Sequence, residues 1–164
     1  MKQGSTTFLK IAVFLMGIPV LALAILLLPK IGMEAMDQAA SGGTQLAYMV
    51  FGILFIMYVS IIPFYFALYQ AFKLLSYIDK NKAFSDISVI ALKKIKQCAI
   101  TISGLYVIAL PLVYIIAEWD DAPGLIIVGM VPIGASLVIA VFAAVLQRLL
   151  KEAINIKSEN DLTV

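Results

Sequence analysis

Four apolar runs divide this chain, and each is long enough to cross a bilayer. Ile11 to Leu28 is 18 residues without a charge. At ~1.5 Å rise per residue such a helix covers roughly 27 Å, close to the hydrocarbon thickness of a membrane. Leu46 to Phe72 is 27 residues without a charge. As a helix it would measure about 40 Å, so it must tilt or run on beyond the membrane toward Tyr77 and Asp79. Ile95 to Ala117 and Gly124 to Leu150 form the third and fourth runs. Each run holds one internal proline: Pro19, Pro63, Pro111 and Pro132. In membrane helices a proline mostly bends the rod while neighbours satisfy the freed carbonyl. Pro29 is expected to end the first helix.

The first run has a rival reading as a cleaved signal peptide, because Ala22-Leu23-Ala24 has the small-x-small form. A signal's apolar region usually spans about 7–15 residues. Here Ile25 to Leu28 carry the apolar run past that site, so it reads as a retained membrane helix.

Between the runs lie polar stretches. Residues 30–45 form a loop with Lys30, Glu34 and Asp37, a short helix from Met33 to Ala40, and a Ser41-Gly42-Gly43 turn. Glu118 to Pro123 is a tight turn with Trp119 as interface anchor. The central hub, 73–96, is the richest stretch. Asp79-Lys80-Asn81-Lys82 reads as a helix stop. Ser85 reads as the N-cap of the next helix, with Asp86 in its first turn. Ile87, Ala91, Ile95 and Cys98 then share one helical face, against which Phe84 could staple. The tail, 151–164, continues as helix for about two turns through Ile154 and frays at Ser158-Glu159-Asn160.

Composition fits this threading. The chain is 63% hydrophobic and 13% charged, about half the charge of a soluble domain. No soluble domain of 164 residues could hide so much apolar surface. One integral membrane domain, 1–164, is expected. Charge then sets its orientation. Residues 1–10 hold two basic residues, the hub six and the C-terminal segment three, whereas the two remaining loops share only Lys30. Those loops carry Glu34, Asp37, Glu118, Asp120 and Asp121 instead. Positive residues stay inside. The expectation is an all-α polytopic protein of the bacterial cytoplasmic (inner) membrane with four transmembrane helices. Both termini and a helical loop between helices 2 and 3 are expected to be cytoplasmic.

Little catalytic chemistry is available. Cys98 is the one cysteine and there is no histidine, which removes serine–histidine and cysteine–histidine catalysis and disfavours zinc or iron sites. Glu118, Asp120 and Asp121 could hold a cation, but a solvated turn explains them more simply. No phosphate-binding loop or dinucleotide fingerprint is present. No enzyme activity, cofactor or metal is expected, and no direct contact with nucleic acid. The central part of every span lacks Asp, Glu, Lys and Arg, which disfavours an ion-coupled carrier. Tyr58, Ser60, Tyr65, Thr101, Ser103, Tyr106, Tyr114 and Ser136 supply the polarity there, and such groups usually bond across helices. Ser136, Ala140 and Ala144 form a small-residue stripe that suits internal packing or, less favourably, a homo-oligomer seam. Cys98 reads as a buried, inert thiol.

Two stretches carry a resemblance. One is Lys82-Ala83-Phe84-Ser85 leading into Lys93-Lys94-Ile95. The other is Leu146-Gln147-Arg148-Leu149-Leu150-Lys151-Glu152-Ala153, closing in Glu159-Asn160-Asp161-Leu162-Thr163-Val164. With the four-span layout they resemble the YoaS-like family of small bacterial membrane proteins of unknown function. The resemblance implies no catalytic or binding residue. It does imply genomic proximity to small helix-turn-helix regulators, and so a membrane partner or sensor for one of them. The residues expected to form a cytoplasmic docking surface are Lys82, Phe84, Ser85, Lys93, Lys94, Lys96, Arg148, Lys151 and Glu152. The alternative is a small-solute channel or exporter working through the polar residues of the second and third spans.

Overall fold

The computed structural model describes residues 2–163, with the side chains of residues 2 and 3 outside the description. The expectations placed on Val164 and on the Lys2 side chain therefore lie outside the described residues. Among the described residues the chain is all helix, without strands. The elements are α1 (Lys2–Ala22), a π-turn (Leu23–Leu27), α2 (Leu28–Ala40), α3 (Thr44–Asp79), α4 (Asp86–Trp119) and α5 (Gly124–Leu162). Four helical stretches are long and apolar enough to cross a membrane, because α1, the π-turn and α2 run together from Gly4 to Ala40. At ~1.5 Å per residue, α3, α4 and α5 each measure about 50–60 Å, well beyond a ~30 Å hydrocarbon core.

Pro29 does not end the first helix. The preceding turn widens, and the Leu28 N–H donates to the Leu23 carbonyl, five residues back. Proline lacks an N–H and crowds the carbonyl four residues before it, here Ile25. A π-turn just upstream accommodates both effects, so helix resumes at Leu28 and most of the expected 30–45 loop is helical.

All three reversals use one device. Gly42 (φ 106°), Asn81 (φ 58°) and Asp121 (φ 50°) follow the helix ends in left-handed backbone. The next N–H then reaches back to a carbonyl of the last turn: Gly43 to Gln38 at 2.9 Å, Lys82 to Tyr77 at 2.7 Å, Ala122 to Ala117 at 2.9 Å. These are Schellman closures, which satisfy carbonyls the helix leaves open.

Among the described residues, extensive packing joins successive helical stretches: the first stretch, through α1 and α2, with α3, then α3 with α4, and α4 with α5. Ser136 and Ala140 are buried and Ala144 half-buried, so the small-residue stripe packs inside the protein against α4. Cys98 is buried and free. Several polar groups within the candidate spans bond across helices as expected. Tyr58 donates to the Ala24 carbonyl at 2.9 Å and Tyr65 to the Gly17 carbonyl at 2.7 Å. Tyr106 lies 3.2 Å from the Ser60 hydroxyl. Ala24 belongs to the π-turn, so Tyr58 fastens α3 at the point where the first helix is irregular.

The tail does not fray at Ser158. Helix continues to Leu162, and the Thr163 hydroxyl closes it by donating toward the carbonyls of Glu159 (3.2 Å) and Asn160 (2.9 Å).

Candidate functional site at the lysine-rich end

The N-terminus of α1, the α3–α4 reversal and the C-terminal part of α5 meet at one end of the molecule. The expected docking residues all lie there. Cross-helix contacts fix this placement. Lys10 of α1 pairs with Asp79 of α3 at 2.5 Å, and Lys96 of α4 donates to the Gln147 side-chain carbonyl of α5 at 3.3 Å.

At this end α1 is joined to α3 by a three-residue tether. Asp79 accepts from the Lys10 ammonium on one oxygen and from the Thr6 hydroxyl on the other. Thr6 and Lys10 stand four residues apart, on one face of α1. Lys10 also lies 5.6 Å from the centre of the Phe72 ring. The Lys10 hydrogen bond foremost, then that of Thr6, holds the Asp79 carboxyl below the ordinary aspartate range, although partial burial opposes them.

The reversal is built around Lys82. Its carbonyl accepts from the Ser85 hydroxyl at 2.5 Å and from the Ser88 hydroxyl at 3.1 Å. Ser85 does occupy the N-cap position, with extended backbone, and its carbonyl takes the Ser88 and Val89 N–H groups. Its hydroxyl turns back to Lys82 instead of capping an N–H, which departs from the sequence expectation. Ser88 is wholly enclosed, and it claims the inner position at the start of α4. The buried face is therefore Ser88, Val89, Ala91, Leu92 and Cys98. Ile87 is turned outward at 47% exposure, and Phe84 is 57% exposed, so no staple forms.

The remaining expected residues divide by role. Lys82, Lys93 and Lys94 are exposed, whereas Lys96 is half-buried and bridges α4 to α5. Arg148 and Glu152 form an exposed pair at 3.5 Å along α5, next to exposed Lys151. Sequence reasoning did not single out Thr6, Lys10, Asp79 or Ser88 as a unit. The available signal was the four-residue spacing of Thr6 and Lys10, together with one acid where the second span meets a run of lysines. At the opposite end Glu118 accepts from Tyr114 at 2.7 Å, and Asp121 serves the Schellman turn. Among the described residues no cluster of three or more His, Cys, Asp or Glu side chains could hold a metal ion.

Long apolar helices, tight reversals and ionisable groups gathered toward the ends define a polytopic all-α membrane protein with four candidate spans. The chain belongs to the family described as protein of unknown function DUF2975, whose model matches residues 34–164. It is also 62% identical over 164 residues to the uncharacterized membrane protein YoaS of Bacillus subtilis (strain 168), covering 100% of both chains. The resemblance carried by the hub and the tail is thus shown. No solved structure matches.

Proposed function

We propose that this is a non-enzymatic protein of the bacterial inner membrane whose lysine-rich end faces the cytoplasm and docks a soluble partner. One observation carries the reading. Phe84, Ile87 and Ile90 are each about half exposed on a segment outside the span expected from 95 onward. They lie beside exposed Lys93 and Lys94. Clustered apolar side chains with a polar rim mark interaction surfaces. Arg148, Lys151 and Glu152 are exposed on α5, which packs on α4 at the same end. A small helix-turn-helix regulator is the partner that the family resemblance implies, and the membrane protein would hold or release it.

The test uses the full chain in lipid nanodiscs and a purified small helix-turn-helix regulator from the same bacterium. Binding is expected for the unaltered chain. It should be lost with Ile87→Asp plus Ile90→Asp, and weakened when the chain stops after Leu150. Equal binding by all three would refute the docking surface.

A small-solute channel or exporter draws less support. The polar side chains of the second and third spans are largely engaged in bonds within the protein.

A further inference from the structure

Within the expected spans the helices line a half-open cavity of about 260 Å³. Every helical stretch contributes to its wall, with Val20 from α1, Phe64 from α3, Ile102 and Tyr106 from α4, and Pro132 and Ser136 from α5 among the lining residues. No lining residue is charged. The first and last helices both border the cavity without packing extensively on one another, so the open side lies between them. All the lining positions fall within the expected spans. An opening between the first and last helices therefore faces the bilayer sideways.

The polar groups in the wall are already committed. The Ser60 hydroxyl donates to the Met57 carbonyl at 2.6 Å, which leaves Tyr106 as donor in the 3.2 Å contact between their oxygens. The Ser136 hydroxyl donates to the Pro132 carbonyl at 2.6 Å. A buried water needs two to four polar partners, and cavities without them stay dry. An unfilled void beside hydrocarbon forfeits contacts on its whole lining. The molecule on hand at this depth, with matching chemistry, is a lipid tail.

We propose that this cavity binds the acyl chain of a membrane phospholipid, which enters between the first and last helices. The site is separate from the docking surface, and neither depends on the other. Ile102→Trp in a Trp119→Phe background places a single reporter in the wall. Ile108→Trp in the same background places one on the outward side of α4, where Ile108 is 65% exposed. Both proteins are reconstituted in phosphatidylcholine vesicles with brominated acyl chains, which quench tryptophan on contact.

Strong quenching is expected at both positions, with aqueous acrylamide ineffective at either. Adding Ala135→Phe, which fills the cavity, should abolish most of the quenching at position 102 and leave position 108 unchanged. Unquenched fluorescence at 102 would overturn the proposal, since the cavity would then be closed. Acrylamide quenching there would overturn it too, because the cavity would hold water. A guard against a poorly folded tryptophan variant is native mass spectrometry of the unaltered chain released from nanodiscs. It should retain a phospholipid that Ala135→Phe loses, and equal retention by the two contradicts the proposal.

Discussion

The first helix and the last one are held by different balances of packing and hydrogen bonding. α5 packs on α4 with small side chains, Ala140 and Ala143, buried along it. At Gly129 an added Cβ would come within 3.3 Å of Val113. The first helix instead meets α3 through bonds at three depths. Tyr58 reaches the π-turn, Tyr65 reaches Gly17, and Asp79 takes Lys10 and Thr6 at the end. Lipid supplies no hydrophobic force between helices, so close van der Waals packing and interhelical hydrogen bonds must do it. Both interfaces use both means in different proportion. Among the described residues α4 and α5 share one side-chain bond, Lys96 to Gln147, whereas the first helix adds three bonded points to its packing of Gly17 against Tyr65 and Leu68.

The largest expected effect is at the packed interface. Ala140→Leu forces new volume between α4 and α5 and should destabilise by about 1–3 kcal/mol. Equilibrium unfolding in mixed micelles measures it. No change would mean that α5 rests on α4 loosely. The tyrosine bonds come next. Tyr65→Phe and Tyr58→Phe should each cost ~0.6 kcal/mol, the average for such bonds in membranes. A disulfide trap between α1 and α3 should also form less efficiently in the double variant. If both tyrosines prove neutral, the contrast between the two interfaces collapses.

The smallest effect is the tether's response to acid. Folding lowers the Asp79 pKa. As pH falls, the unfolded chain therefore takes up a proton before the folded one does. The tether's contribution is complete above the ordinary aspartate range and fades as pH drops through the lower folded value. Thermal unfolding scanned toward acid should show this decline in the unaltered chain. Asp79→Asn should remove that part of the slope and leave the neutral-pH behaviour of α4 and α5 intact.

Much of this architecture was legible in the chain. Hydrophobic run lengths located four spans, and the Asp79-Lys80-Asn81-Lys82 stop fell where α3 ends. The expected run of the second span toward Asp79 matches as well, since α3 continues unbroken to that residue. What escaped was local geometry that depends on three-dimensional neighbours. Pro29 looked like a terminator because periodicity cannot show a π-turn upstream. Ile87 looked inward because hydrophobicity ranks it above Ser88, yet Ser88 fits the enclosed position and bonds the Lys82 carbonyl. The tail's polar residues suggested fraying, but helix runs to Leu162 and the Thr163 hydroxyl bonds two carbonyls of the last turn. The Lys10–Asp79 pairing spans 69 positions, and no local pattern announces it.

The central claim is that the lysine-rich end lies in the cytoplasm, where the docking surface needs it. Cysteine labelling in intact cells tests this directly, in a Cys98→Ala background with single cysteines at Asp120, Lys80 or Ser158. A membrane-impermeant maleimide should label Asp120→Cys at once. Lys80→Cys and Ser158→Cys should react only after permeabilisation. Labelling of Lys80→Cys or Ser158→Cys in sealed cells, with Asp120→Cys protected, would contradict the account.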